Sequence, residues 1–145
     1  MSLKDIRPAL VEFLYGDATI YSIVGGDVTK ANGGRRIDPG RVRQGITAPS
    51  IVYNDISAQT GLHNEGSDGL ASIRMQIAAW AQTADAAQAL ALAIKERLHG
   101  YAGLMGSGAA EVNVLLVRFD VWRDQDDEVA NLRGKVADYF IDYDE

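Results

Sequence analysis

Apolar and polar residues alternate along the C-terminal part of the chain, over residues 113–143. A period of two over such a length predicts a β-strand with one buried face. The pattern breaks at the acidic run Asp124–Glu128, and a second strand is predicted from about Asn131. The sequence therefore predicts a long antiparallel hairpin with an acidic loop. One face of its first strand is expected to carry Leu115, Val117, Phe119 and Val121, and the other Leu116, Arg118, Asp120 and Trp122.

Helical periodicity marks three segments upstream. The first predicted helix runs from Asp5 to Tyr15, and a short second helix begins after Asp17. A third helix is predicted from Thr83, which we expect to cap it, through about Leu98. Its many alanines favour close packing on a sheet. The apolar stripe of this helix consists of Ala87, Leu90, Ala91, Ile94 and Leu98.

Two more strands are predicted between the second and third helices. They run from Ser50 to Gln59 and from Gly69 to Ala81, with a polar hairpin tip at 61–68. Residues 26–49 carry little periodicity and are predicted to form a long loop, with room for a short strand near residues 36–37. In the second of the two strands the core-facing residues are predicted to be Ile73, Met75, Ile77 and Ala79.

The order of these elements is helix, short helix, loop, hairpin, helix, hairpin. It predicts an α+β fold with a mostly antiparallel four-stranded sheet, made of two hairpins, and two main helices packed on one face. We expect all 145 residues to form a single domain.

The net charge of −6 is unevenly distributed along the chain. From residue 111 onward there are ten acids and four bases, whereas residues 1–110 carry ten of each. The chain as a whole therefore lacks the basic surface of a duplex-DNA binder. It has no cysteine, which excludes disulfides and thiolate chemistry. No apolar run suits a signal peptide or a membrane span, so we expect a soluble, cytoplasmic protein.

No catalytic or cofactor motif is found in the sequence. His63, in a hairpin tip, and His99, at the end of a helix, are expected to be exposed. The run Asp124–Glu128 has the alternate carboxylates of a calcium loop, but Val129 stands where such a loop needs glycine and Lys135 occupies the twelfth position. We interpret the run as a solvated acidic turn, and we expect no metal, no cofactor and no enzymatic activity.

Four arginines lie within nine residues of the predicted long loop. Three interpretations are open: a solvated charged loop, a loop that contacts phosphates, or a surface that docks on an acidic surface of another copy or of a partner. For the third, the acidic run of the C-terminal hairpin is the complementary surface within the sequence. The candidate assembly interface therefore comprises Arg35, Arg36, Arg41, Arg43, Asp124, Asp126, Asp127 and Glu128.

Five short segments occur in a characteristic order: residues 23–28 (IVGGDV), 48–53 (APSIVY), 74–81 (RMQIAAWA), 117–122 (VRFDVW) and 137–143 (ADYFIDY). Together they resemble the tail completion proteins of tailed bacteriophages and prophages, also described as tail terminators or tail-to-head joining proteins. The strand ending in Trp80, followed by an alanine-rich helix, is the most recognisable part. Asp142, where a large or aromatic residue is expected, and the length of the 30–49 loop depart from the family pattern.

The resemblance implies a structural protein that forms a ring, typically a hexamer, at the head-proximal end of the tail tube. Such a ring stops tube growth and joins the tail to the capsid connector. The implied partners are other copies of the chain, the tail tube protein and the head-tail connector protein, with DNA passing through the channel as cargo and no membrane involved. The implied location is the virion neck, and the host cytoplasm during assembly.

Two other classes of function were weighed against this one. The first is a small protein-protein interaction or adaptor module without catalytic activity. The second is a small enzyme that uses the carboxylates Asp138 and Asp142, or those of Asp124–Glu128. Paired catalytic carboxylates need a cleft that separates their pKa values. The pattern places these residues in a turn or along one strand, which disfavours the enzyme.

Overall fold

The computed structural model describes residues 5–25, 36–42, 49–63, 66–129 and 131–144, and within residues 58–69 it describes the backbone. The helices are α1 (Arg7–Tyr15), α2 (Ala18–Val24) and α3 (Ala84–Leu98). The strands are β1 (Ile37–Pro39), β2 (Ser50–His63), β3 (Gly66–Ala81), β4 (Gly103–Met105), β5 (Val112–Asp127) and β6 (Leu132–Asp144).

Two of the helices have a short polar side chain at the N-cap position. Asp17 accepts a hydrogen bond from the Thr19 amide at 2.9 Å, and the Thr83 hydroxyl accepts one from the Ala86 amide at 3.2 Å. Each satisfies a backbone donor that the first turn of a helix leaves without a partner. The predicted starts of α2 and α3 are thereby confirmed.

Helix α1 begins two residues later than predicted. The Asp5 carboxylate accepts hydrogen bonds from the amide of Arg7, at 3.0 Å, and from its guanidinium, at 2.9 Å. Asp5 therefore holds the segment before the helix, and Ile6 occupies the capping position without a side-chain hydrogen bond. Four apolar residues at helical spacing in this segment are buried in the core: Ile6, Leu10, Phe13 and Leu14.

All six strands form one curled, mixed sheet in the order β1-β2-β3-β6-β5-β4. The prediction of a four-stranded, mostly antiparallel sheet with two helices was wrong. The sheet gains a three-residue strand at each edge, β1 and β4, and β1 pairs parallel to β2. A three-residue strand is too short to show a period of two, so neither could be read from the alternation. The short strand suspected near residues 36–37 corresponds to β1.

The two predicted hairpins are confirmed and are longer than expected at the β2–β3 end, where pairing continues to His63↔Gly66. They join through their second strands, because β3 pairs antiparallel to β6 from Leu70↔Asp144 to Ala81↔Arg133. The last strand of the described chain therefore lies in the middle of the sheet.

Strand β5 differs from its predicted alternation. Register shifts occur between Val114 and Leu116 and between Phe119 and Val121. A β-bulge inserts one residue and moves the following side chains to the other face. As a result Val121, which was predicted to share a face with Val117 and Phe119, is 48% exposed, whereas Trp122 packs against the core on their side of the sheet. The residues that face the core are Val112, Val114, Val117, Phe119 and Trp122.

The main core lies between the three helices and one face of the sheet. Helix α3 packs on β3, β6 and β5, α2 packs on α3, and α1 contacts α2 and β4. The predicted stripe of α3 is entirely buried, as are the four predicted core residues of β3. The opposite face of the sheet, here called the outer face, carries a smaller apolar cluster of Val52, Ala78 and Val136, against which Val42 and Trp80 pack.

Candidate assembly interface

Arg36 connects two elements from beside β1. Its guanidinium donates hydrogen bonds to the carbonyl of Ile23, at 2.8 Å, and to the carbonyl of Pro49, at 2.7 Å. The first lies at the end of α2, whose last carbonyls have no partner within the helix, and the second immediately precedes β2. Gly25 lies against the same guanidinium with φ of +61°, and a Cβ there would approach it to 3.3 Å. The side chain of Arg36 therefore joins the end of α2 to the residue that precedes β2.

Arg41 lies in a different environment. It follows Gly40, whose φ of +85° turns the chain after β1, and its side chain is exposed. The Arg41 amide donates to the Pro39 carbonyl at 3.0 Å, so the backbone position is held. Arg35 and Arg43 lie outside the described residues. Of the four candidate arginines, Arg41 is the one that the described structure presents to solvent at this edge of the sheet.

The predicted acidic loop is largely strand. Asp124 and Asp126 belong to β5 and lie directly across from bases of β6. The carboxylate of Asp124 is 3.1 Å from the ammonium of Lys135, and that of Asp126 is 3.0 Å from the guanidinium of Arg133. Both acids are thus paired within their own hairpin.

Glu128, Val129 and Asn131 belong to the turn of the hairpin. Asp127, the last residue of β5, accepts a hydrogen bond from the Val129 amide at 3.1 Å, and Asn131 adopts a left-handed conformation with φ of +55°. Glu128 and Val129 are exposed at the tip. Residues 123–135 carry four acids and three bases, a net charge of −1. The remaining −5 lies on residues 111–122 and 136–145, which carry six acids and one base.

A shallow depression of about 180 Å³ lies beside the paired acids, between the start of α3 and the distal part of the hairpin. Its lining residues are Ala84, Ala87, Asp124, Asp126, Arg133 and Gly134. Gly134 is required there, because a Cβ would lie 2.7 Å from the Trp80 ring and from the Gln125 carbonyl oxygen. Among the described residues, Arg36 and Arg41 are not brought close to the acids of β5, since β1 and β5 are separated by β2, β3 and β6.

An ion-pair network on the outer face was missed by the sequence reasoning. Arg74 of β3 lies 2.7 Å from Asp138 of β6 and 3.5 Å from Asp120 of β5. The hydrogen bond to Asp138 raises the pKa of Arg74. The register of β3 on β6 creates this network, and two strands so far apart in sequence give no local signal of their pairing.

A second pair extends the network along the same face. Arg118 lies 3.6 Å from Asp142, which also accepts a 2.7 Å hydrogen bond from the Ser72 hydroxyl. The ring of Phe140 lies between the two arginines, with its centroid 5.4 Å from the guanidinium carbon of Arg74 and 5.3 Å from that of Arg118. Asp138 and Asp142, once weighed as enzymatic carboxylates, are thus engaged by cations on a sheet face.

Other candidate chemistry has a structural explanation or lies outside the description. His99 is exposed, and its Nδ1 accepts a hydrogen bond from the Phe119 amide at 3.0 Å. The side chain of His63 is outside the described residues. Among the residues that are described, no cluster of three histidines or acids could hold a metal ion. Within that same part of the chain, no helix has the length and apolar character needed to cross a membrane.

Comparison with known proteins gives one family match. The sequence model described as "Tail completion protein gp17" matches residues 8–136, which is most of the chain. No curated protein matches the sequence. Among solved structures, a chain from the "Virion of native gene transfer agent (GTA) particle" has the same fold, with a TM-score of 0.69 over 94% of this chain and 92% of that chain. The two sequences are 14% identical.

Proposed function

Because the chain belongs to the tail completion protein gp17 family and is a structural component of a phage tail, we propose that it forms a ring at the head-proximal end of the tail tube. The ring ends tube growth and joins the tail to the head. It is built of identical subunits, as a hexamer, and contacts the tail tube protein on one side and the head-tail connector protein on the other. DNA passes through it as cargo.

The observation that carries this proposal is the position of opposite charges at opposite ends of one sheet. Arg41, which is exposed, lies beside β1, and Glu128, which is exposed at the end of the β5–β6 hairpin, follows β5, four strands away. At the usual spacing between strands this is roughly 20 Å, too far for contact within one subunit. Adjacent copies can bring the two surfaces together. A contact between two different surfaces is heterologous, and it produces a ring when the rotation closes.

The charge distribution also suits a channel for DNA. Residues 111–122 and 136–145 carry a net charge of −5, compared with −1 on residues 123–135, and Arg74 of β3 offsets one unit of it through Asp138 and Asp120. A wall that keeps this acidic excess repels the phosphate backbone, so DNA passes without binding. In the proposed ring these acids face the lumen. A ring structure with them on the outer wall and the arginines in the lumen would contradict this part of the proposal.

The experiment reverses the charges of the arginines that the fold does not need. The variant R35E/R41E/R43E keeps Arg36, because Arg36 bridges Ile23 and Pro49. We expect the unaltered protein to sediment as a ring, either alone at high concentration or on tail tubes, and the triple variant to remain monomeric with an unchanged circular dichroism spectrum. The single variant R41E is compared with E96K, which reverses an exposed charge on α3.

A second reversal tests whether the acidic end is the partner surface. Adding E128K to R41E restores attraction if Arg41 of one copy meets the hairpin tip of the next, and it should recover part of the lost assembly. Assembly of the triple variant at the level of the unaltered protein would remove the arginines from the interface. A protein that stays monomeric both alone and with tail tubes would refute the ring.

A further inference from the structure

We infer that the ring is closed by a continuous β-sheet, in which the open edge of β5 in one copy pairs with the open edge of β2 in the next. This inference rests on the proposed ring and identifies the backbone surfaces that join its subunits. Two long strands, β2 and β5, stand next to the ends of the sheet, and each is covered over part of its length by a strand of three residues.

The edge of β5 is covered at its beginning and open at its end. Strand β4 pairs with Val112–Val114. The segment after α3 then takes over, since the Gly100 amide donates to the Val117 carbonyl at 2.8 Å and the Phe119 amide donates to His99 at 3.0 Å. From 120 to 126 no described residue pairs with this edge. The backbone groups there are available to another strand.

The edge of β2 is organised in the same way. Strand β1 pairs with residues 51–53, and the Gly40 amide adds a 3.2 Å hydrogen bond to the Tyr53 carbonyl. From 54 to 63, within the described part of the chain, no further strand covers β2. The two open stretches, of seven and ten residues, lie at opposite ends of the sheet, so they face each other when the neighbouring copy is shifted along the strands.

Each open stretch also presents an apolar side chain at a register shift. Ile56 of β2 is 52% exposed and Val121 of β5 is 48% exposed. Natural edge strands usually carry unpaired charges that discourage pairing. Here Asp124 and Asp126 are bound by Lys135 and Arg133 of the same hairpin, and the net charge of residues 123–135 is −1. The charges of Asp124 and Asp126 therefore do little to prevent another strand from pairing with the edge of β5.

Strand directions and charge favour a second copy as the occupant. β2, β3, β6 and β5 alternate in direction, so β2 and β5 run oppositely. A rotated copy that continues the sheet therefore meets it with an antiparallel junction, the geometry of every long strand pair within the subunit. The same arrangement places Arg41, beside β1, on the side of the neighbour's hairpin tip, where Glu128 is exposed.

Cysteine cross-linking tests this junction, because the chain contains no cysteine of its own. Ser57 of β2 and Gln125 of β5 are exposed on the outer face of the sheet. The double variant S57C/Q125C is oxidised and analysed on a denaturing gel. Since the register between copies is not defined, S57C is also combined with V121C, R123C and D127C, which place cysteines at the other outer-face positions of the same edge. Facing positions on adjacent strands are close enough for a disulfide.

We expect at least one of these double variants to form a ladder of covalent species beyond the dimer, up to the size of the ring. Single variants and the control S57C/A89C, whose second cysteine lies on the exposed side of α3, should not exceed dimers. A ring that sediments normally but gives no ladder in any register would overturn the edge junction and leave the proposed ring standing. Cross-linking that stops at dimers in every variant would indicate a different contact between copies and would also overturn the edge junction. No ladder and no ring would refute both.

Discussion

Arg74 donates a 2.7 Å hydrogen bond to Asp138 between the two central strands of the sheet, on the face opposite the helices. Asp138 is 6% exposed, and it is one of two buried polar residues in the described structure, with Ser50. A buried carboxylate is costly unless a cation and hydrogen bonds accompany it. The pairing of β3 with β6 therefore depends on a charge interaction as well as on its apolar face.

Replacing Arg74 with Met should lower the free energy of unfolding, because it leaves Asp138 buried without its cation. The loss should be smaller than for a fully buried pair, since the side chain of Arg74 is 36% exposed. Chemical denaturation measures the change. The control D120N alters a more exposed and more distant partner of Arg74 and should cost less than about 0.5 kcal/mol. Equal effects of the two variants would show that Asp138 does not need Arg74.

Arg36 and Arg41 should respond differently to the same substitution. Arg36→Met removes two hydrogen bonds from a cation to backbone carbonyls and should lower stability by about 2 kcal/mol. Arg41→Met removes an exposed charge and should change stability by less than about 0.5 kcal/mol. Urea unfolding measures the stability of each variant relative to the unaltered protein. If R41M were the less stable of the two, the division into a structural and a surface arginine would be wrong.

Tyr139 should give the folded protein a dependence on alkaline pH. Burial raises the pKa of its phenol, so the folded chain keeps the proton when the unfolded chain loses it. This contribution to stability is complete below about pH 10, the pKa of an unfolded tyrosine, and is lost as pH rises from there toward the raised folded-state pKa.

Tyr139→Phe should therefore flatten the fall in stability above about pH 10. At neutral pH its stability should be unchanged or higher by up to about 1 kcal/mol, because the buried hydroxyl has no hydrogen-bond partner among the described residues. Unfolding at several pH values measures both effects. The control Y21F, at a tyrosine that is 43% exposed, should keep the slope of the unaltered protein. An unchanged slope in Y139F would contradict the assignment.

The elements that sequence predicted well carry their signals locally. Thr83 and Asp17 begin helices with their own side chains, and the stripe of α3 repeats at helical spacing. Both hairpins were predicted for the same reason, since alternation and turn residues lie close together. Strand β4 was missed, and β1 was expected only as a short strand near residues 36–37, because three residues carry no period. The predicted faces of β5 were partly wrong because the sequence does not distinguish a bulge residue from other strand residues.

The contacts of the candidate interface likewise divide into local ones, which the sequence predicts, and long-range ones, which it does not. The cross-strand pairs of Asp124 and Asp126 follow from the hairpin register once the turn is placed. The contacts of Arg36 with Ile23 and Pro49 join segments of different elements, and no spacing in the sequence predicts them. The network around Phe140 depends on the pairing of β3 with β6, whose facing residues are more than fifty positions apart in the sequence. Pairing over such a distance comes from the packing of the whole sheet.

The central place of β6 has a consequence for synthesis on the ribosome. The helices and the β2–β3 hairpin form from neighbouring residues and can fold as the chain emerges from the ribosome. The second edge of β3 pairs with residues 133–144, so it stays unpaired until they have been synthesised. Until these residues leave the exit tunnel the nascent chain exposes an unpaired inner strand, a state prone to aggregation. A break in translation before β6 would therefore release a chain with helices and one hairpin formed but with its core unfinished.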